Sequence, residues 1–114
     1  GGTDGIGRAI ARHAAHLGAN VTVIGRQFRD ADVPRMQFVP ADLSLLSTAA
    51  ALGDSLPSDA DVYLFTNAIS PPRDLVRTDE AIELHAAVSL LSRLALLSAL
   101  LPRIHKVFCV LCDV

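Results

Sequence analysis

The sequence has no tryptophan, one tyrosine and four phenylalanines, and aromatic residues make up 4% of it. So few flat side chains leave little to stack against exposed bases, which excludes a single-strand nucleic-acid binder. A surplus of one charge is also lacking. Ten basic and twelve acidic side chains give a formal charge of −2, without a run of like charges, so no nucleic acid and no membrane surface is expected as a partner. Cysteine is confined to Cys109 and Cys112. In a strand their Cα atoms would lie about 10 Å apart, beyond the roughly 7 Å that a disulfide spans, so reduced thiols and a cytoplasmic setting are expected. A single C-x-x-C and four scattered histidines, His13, His16, His85 and His105, do not have the spacing of a metal site. The chain opens on Gly1 without a methionine or a charged-then-apolar leader, and reads as one partial domain, 1–114, of a longer protein with no secretion signal.

What the chain does have is apolar bulk, 51% of its residues, enough to build a core. Ile6, Ile10, Ala14 and Leu17 share one helical face and Arg8, Arg12 and His16 another, which predicts a helix over Gly5–Leu17 stopped by Gly18. Val21–Ile24 reads as a short β-branched strand, Gln37–Val39 as a second, Leu43–Leu56 as a helix closed by Pro57, and Val62–Thr66 as a strand buried on both faces. Thr78 is placed to cap a long helix, Asp79–Leu101, ended by Pro102. A membrane span calls for about 20 mostly uncharged residues, and Arg93 and His85 argue against one here. A strand over Val107–Leu111 closes an alternation of helices and strands, hence an α/β fold with a parallel sheet.

The chemistry is carried by Gly1-x-x-x-Gly5-x-Gly7 at the start of the first helix. Glycines there let the backbone turn sharply, admit a diphosphate without Cβ atoms in the way, and leave free N–H groups at the positive helix end. Each strand is then followed by a residue suited to the rest of a dinucleotide. Arg26 follows the first, where an acidic residue would hold a ribose 2′-hydroxyl and an arginine could hold a 2′-phosphate. Asp42-Leu43 follows the second, and Asn67-Ala68 the third.

With these residues in view, the sequence resembles the short-chain dehydrogenases/reductases. Gly1-Gly2-Thr3-Asp4-Gly5-Ile6-Gly7 is similar to that family's T-G-x-x-x-G-I-G turn without its threonine, Asp42-Leu43 to its adenine-contacting pair, and Thr66-Asn67-Ala68 to its N-N-A-G segment. The resemblance implies a Rossmann-like, doubly wound parallel sheet in three αβα layers, incomplete at both ends, and cofactor contacts from Gly1, Thr3, Asp4, Gly5, Ile6, Gly7, Arg26, Asp42, Leu43, Asn67 and Ala68. It further implies NADP over NAD, a small carbonyl or alcohol substrate, and a homodimer through the helix spanning 79–101. The departures are as specific. Ser89 stands at the usual Asn of the long helix, Cys112 at the usual catalytic Ser, and Ile69 follows Ala68 in place of Gly. The Tyr-x-x-x-Lys pair is absent, since the only Tyr is Tyr63 and the only Lys is Lys106.

Other roles for the same residues stand beside these. Arg26 is either a phosphate ligand or a surface arginine beside Asp30 and Asp32. Asp42 either touches adenine or caps the helix from Leu43. Asn67 either contacts the cofactor or bonds neighbouring backbone. Ser89 either orients catalysis or bonds its own helix, and Cys112 is either at the reaction centre or a small buried side chain. Arg8 and Arg12 are expected on the solvated face of the first helix. The sequence therefore describes the cofactor-binding half of an NADP-dependent oxidoreductase, inactive by itself. The alternative is a non-catalytic NADP-binding or interaction module, and a truncated product that never folds is a third possibility.

Overall fold

The computed structural model describes residues 1–104. The expected strand at 107–111, with Lys106, Cys109 and Cys112, lies outside them, as does His105. The chain divides into two compact units, Gly1–Ala41 and Asp42 onward, and the fold is α/β.

In the first unit α1 (Gly5–His16) leads to β1 (Val21–Gly25), which runs parallel to β2 (Met36–Pro40) with Val21 paired to Met36 and Gly25 to Pro40. The helix buries Gly7, Ala11 and Ala15, small residues four apart that share a face and let the helix axis come close to the strands. The larger apolar stripe of Ile6, Ile10, Ala14 and Leu17 is not the buried face. Ile6 is 61% and Leu17 72% exposed, because closest approach selects the smallest side chains over the greasiest.

Arg8 and Arg12 lie on the solvent-facing side as expected, their side chains 32% and 48% exposed, yet both are engaged by a buried carboxylate. Asp30 is only 1% exposed, and Arg8 donates to both its oxygens, from Nε at 2.8 Å and Nη2 at 2.7 Å, while Arg12 donates through Nη1. A buried carboxylate needs such partners. The hydrogen bonds from Arg8, then Arg12, hold the Asp30 carboxyl down to about 2 from an ordinary 3.8, against the opposing effect of burial. This clamp ties the β1–β2 connection to α1, and a stacked Phe28–Phe38 pair, centroids 5.1 Å apart, ties it to β2.

In the second unit α2 (Leu46–Ser55) packs against a helical run from Leu84 to Arg103. The run consists of α3 (Leu84–Ala86), a π-helical turn (Ala87–Leu91), α4 (Ser92–Leu100) and a 3-10 turn (Leu101–Arg103). At the α2–α4 crossing Gly53 has no room for a side chain, since a Cβ there would lie 2.7 Å from the Ala99 Cβ and 3.0 Å from the Leu96 carbonyl oxygen.

Both helices of this unit start later than their sequences suggest. Asp42 accepts from the Ser44 amide at 2.9 Å in a local turn and does not cap α2. The amides at the start of α2 are met from a distance by Glu80, which accepts from Leu46 at 2.6 Å and Ser47 at 3.0 Å. The second helical run begins at Leu84 with Glu83 as its cap, accepting from His85 at 3.0 Å and Ala86 at 2.7 Å. Thr78 instead closes a turn in which Ala81 has φ 62°, so the helix cannot extend back through it.

Val62–Thr66 is not a strand among the described residues. Tyr63 and Phe65 are buried while Val62 and Leu64 are exposed, the alternation of an extended segment with one covered face. The expectation of burial on both faces is thereby corrected. The run Leu84–Arg103 has 20 residues and a mean hydropathy of 1.8, long and apolar enough to cross a membrane by length and composition alone, a test that core helices also pass.

Candidate cofactor-binding site

The glycine turn lies on β1. Gly2, at φ 138°, sits so close to Val23 that a Cβ would meet its Cγ1 at 3.1 Å. Gly25, at the end of β1, faces Thr3 in the same way, with the Thr3 Oγ1 2.5 Å from where a Cβ would be. The turn and the strand end therefore fit only because both carry glycine where they touch. Gly5, at φ 51°, has open space where its Cβ would point, and Gly7 is buried in the first turn of α1.

The first i→i−4 bond of α1 runs from the Arg8 amide to the Asp4 carbonyl at 3.0 Å, so the amides of Ile6 and Gly7 have no carbonyl within the helix. Asp4 caps the helix, its Oδ1 accepting from the Gly5 amide at 2.9 Å, and the same oxygen is 3.4 Å from Arg29 Nη1. A glycine-rich turn with open space beside Gly5 and unpaired amides at a positive helix end is suited to a diphosphate. Arg26 is exposed one residue past β1 and makes no hydrogen bond or ion pair among the described residues. Its suggested neighbour Asp30 is taken by Arg8 and Arg12.

The second unit has a buried polar cluster that the sequence only partly suggests. Asn67 donates both Nδ2 protons to the helical run, to the Val88 carbonyl at 2.8 Å and to Ser92 Oγ at 2.9 Å. Its own carbonyl accepts from Arg93, from Nε at 3.1 Å and Nη2 at 2.7 Å. Ser89 Oγ accepts from the Ile69 amide at 3.2 Å, so it holds the segment after Asn67 and not its own helix. The π-helical turn sets these positions, and such turns occur frequently at functional sites. Asn67 and Ser89 are thus brought into one network around the segment that also carries Ala68. Asp42 and Leu43 lie before α2, the aspartate exposed and the leucine buried.

Sequence reasoning missed Asp30, Glu80, Ser92 and Arg93. The signal for the last two was a Ser-Arg pair inside an otherwise apolar helix, four residues after Val88. Asp30 and Glu80 had no local signal, because their partners are far away in the chain.

No family model matches the chain. An uncharacterized oxidoreductase of Saccharomyces cerevisiae is 44% identical over 97 residues, covering 82% of this chain and 31% of that protein. An uncharacterized protein from Mycobacterium paratuberculosis superposes with a TM-score of 0.80 at 27% identity, covering 94% of this chain and 42% of the other. A short-chain dehydrogenase/reductase family protein superposes at 0.73 and 24% identity, over 95% and 51% of the two chains. The chain shares the fold of this short-chain dehydrogenase/reductase. The RhlG/NADP active-site complex of Pseudomonas aeruginosa gives a TM-score of 0.67 at 25% identity, over 90% of this chain and 44% of the other. The chain spans between a third and a half of the length of these relatives.

Proposed function

We propose that this chain is the cofactor-binding portion of an NADP-dependent oxidoreductase acting on a carbonyl or alcohol carbon of a small molecule. The observation that carries the reading is the glycine-rich turn seated on β1, with the Ile6 and Gly7 amides at the start of α1. Gly1, Thr3, Asp4 and Gly5 shape that turn, and the Ile6 and Gly7 amides donate to the diphosphate. Arg26, unengaged and beyond the end of β1, supports NADP over NAD, as does the NADP in the RhlG complex. Asp42, Leu43, Asn67 and Ala68 are the second unit's candidates for the adenosine and nicotinamide ends, a role that rests on family resemblance.

When bound, the nicotinamide supplies or accepts hydride, and the protein's part is binding and orientation. Ser89, already accepting from Ile69, is proposed to position the Ala68–Ile69 backbone. Cys112 keeps its place as the candidate at the family's serine position. With no Tyr-x-x-x-Lys pair in these residues, the 114-residue chain is proposed to be inactive alone. A cytoplasmic location accompanies this reading.

Calorimetric titration with NADPH and NADH tests it. The expected result is binding of both with NADPH tighter, and an Arg26→Gln variant that loses the preference. Absence of binding to either nucleotide overturns the reading, and equal affinities remove Arg26 from it. NADPH oxidation by this chain with a panel of aldehydes and ketones would overturn the proposed inactivity.

A further inference from the structure

The opposite end of α1 borders an open surface groove of about 560 Å³ lined by the exposed Arg12, His13, His16 and Arg35, with Val33 and Pro34 as its apolar wall. That volume falls within the range of small-molecule sites. No carboxylate lines it. Arg12 shares Asp30 with Arg8, so the three together leave one net positive charge. The Arg35 guanidinium donates to a neutral partner, Asn20 Oδ1 at 3.3 Å, and the residue is held at φ 67°, a conformation uncommon for residues with a Cβ. Strain kept at a groove wall is the kind of cost found at ligand sites.

A helix C-terminus is a negative pole, which the Arg12 and Arg35 guanidinium groups must offset for an anion to bind. The closing carbonyls of His13, Ala14 and Ala15 already accept from the amides of Leu17, Ala19 and Gly18, each at 3.0 Å. Gly18, at φ 97°, presents only open space where a Cβ would be. The lining residues of α1 begin at Arg12, about 7.5 Å along the axis from Gly7, and reach His16, about 13.5 Å from it.

We propose that this groove is a second anion site, taking a small phosphate-bearing molecule between the Arg12 and Arg35 guanidinium groups with N–H donors from His13 and His16. It does not rest on the cofactor reading, since no residue lining it belongs to the glycine turn.

The test is titration of the ¹⁵N-labelled protein with sodium pyrophosphate, with sodium chloride at matched ionic strength as control. Saturable shifts of the Gly18 and Arg35 amides, absent with chloride, are expected. An R35G/H16Q double variant should lose at least tenfold affinity at these signals while the Ile6 and Gly7 signals respond as before. Glycine suits the backbone at 35, so that variant is expected to fold. No shift of Gly18 or Arg35 at millimolar pyrophosphate, the same shifts with chloride, or unchanged affinity in the double variant would each overturn the proposal.

Discussion

Asp4 serves two opposed purposes. Its carboxylate caps α1 through the Gly5 amide, and it sits at the helix end where the cofactor's negative charge is proposed to bind. Arg29, 3.4 Å away, offsets part of that repulsion. Asp4→Asn keeps a capping oxygen and removes the charge, so NADPH should bind about fivefold tighter for roughly 1 kcal/mol of repulsion relieved. Asp4→Ala loses the cap and should lower stability by about 1 kcal/mol in urea denaturation. Gly25→Ala drives a Cβ into Thr3 and should weaken NADPH binding at least tenfold by calorimetry. Adding Thr3→Ala should recover part of the loss, because the clash is with that side chain. At this scale the sequence was informative about the glycines, whose role is local, and silent about what Gly25 touches.

The elements of the second unit are bounded by residues distant in sequence. Glu80 closes α2 from thirty-four residues away, which no capping pattern around Leu43 could reveal. Its carboxyl is lowered from an ordinary 4.5 by the Ser47 hydroxyl first, then by the Ser47 and Leu46 amides. A lowered value in the folded state means stability that is present above pH 4.5 and lost as pH falls through the lowered value. Glu80→Gln should therefore flatten the acid limb of the stability curve and speed amide exchange in the first turn of α2. Gly53→Ala forces α2 and α4 apart and should cost about 1–3 kcal/mol, as overpacking does. Ser92→Ala leaves an Asn67 donor unmet inside the unit, at about 1–3 kcal/mol. The long apolar helix was legible as a helix, yet its buried face carries Ser92 and Arg93 while Leu90, Leu94 and Leu101 are exposed. A polar network needing satisfaction outcompeted leucines that could remain at the surface.

For the molecule as a whole, the exposed leucines motivate the proposal of a homodimer through this helix. Sedimentation should show a concentration-dependent dimer that Leu94→Glu abolishes, and a monomer at high concentration would remove the idea. Acid unfolding should draw first on Glu80 and Glu83, both lowered by backbone amides, and last on Asp30, down to about 2. Asp30→Asn should then remove the lowest part of that transition in a pH series of thermal melts. The sequence by itself determined the helix–strand alternation and the glycine turn, because period and backbone freedom are properties of neighbouring residues. Only the tertiary structure decided which face of α1 is buried, that Asp30 gathers two arginines, and where α2 and the long helix begin. Closest packing and the pairing of buried charge depend on atoms brought together from distant parts of the chain, and no local pattern records them.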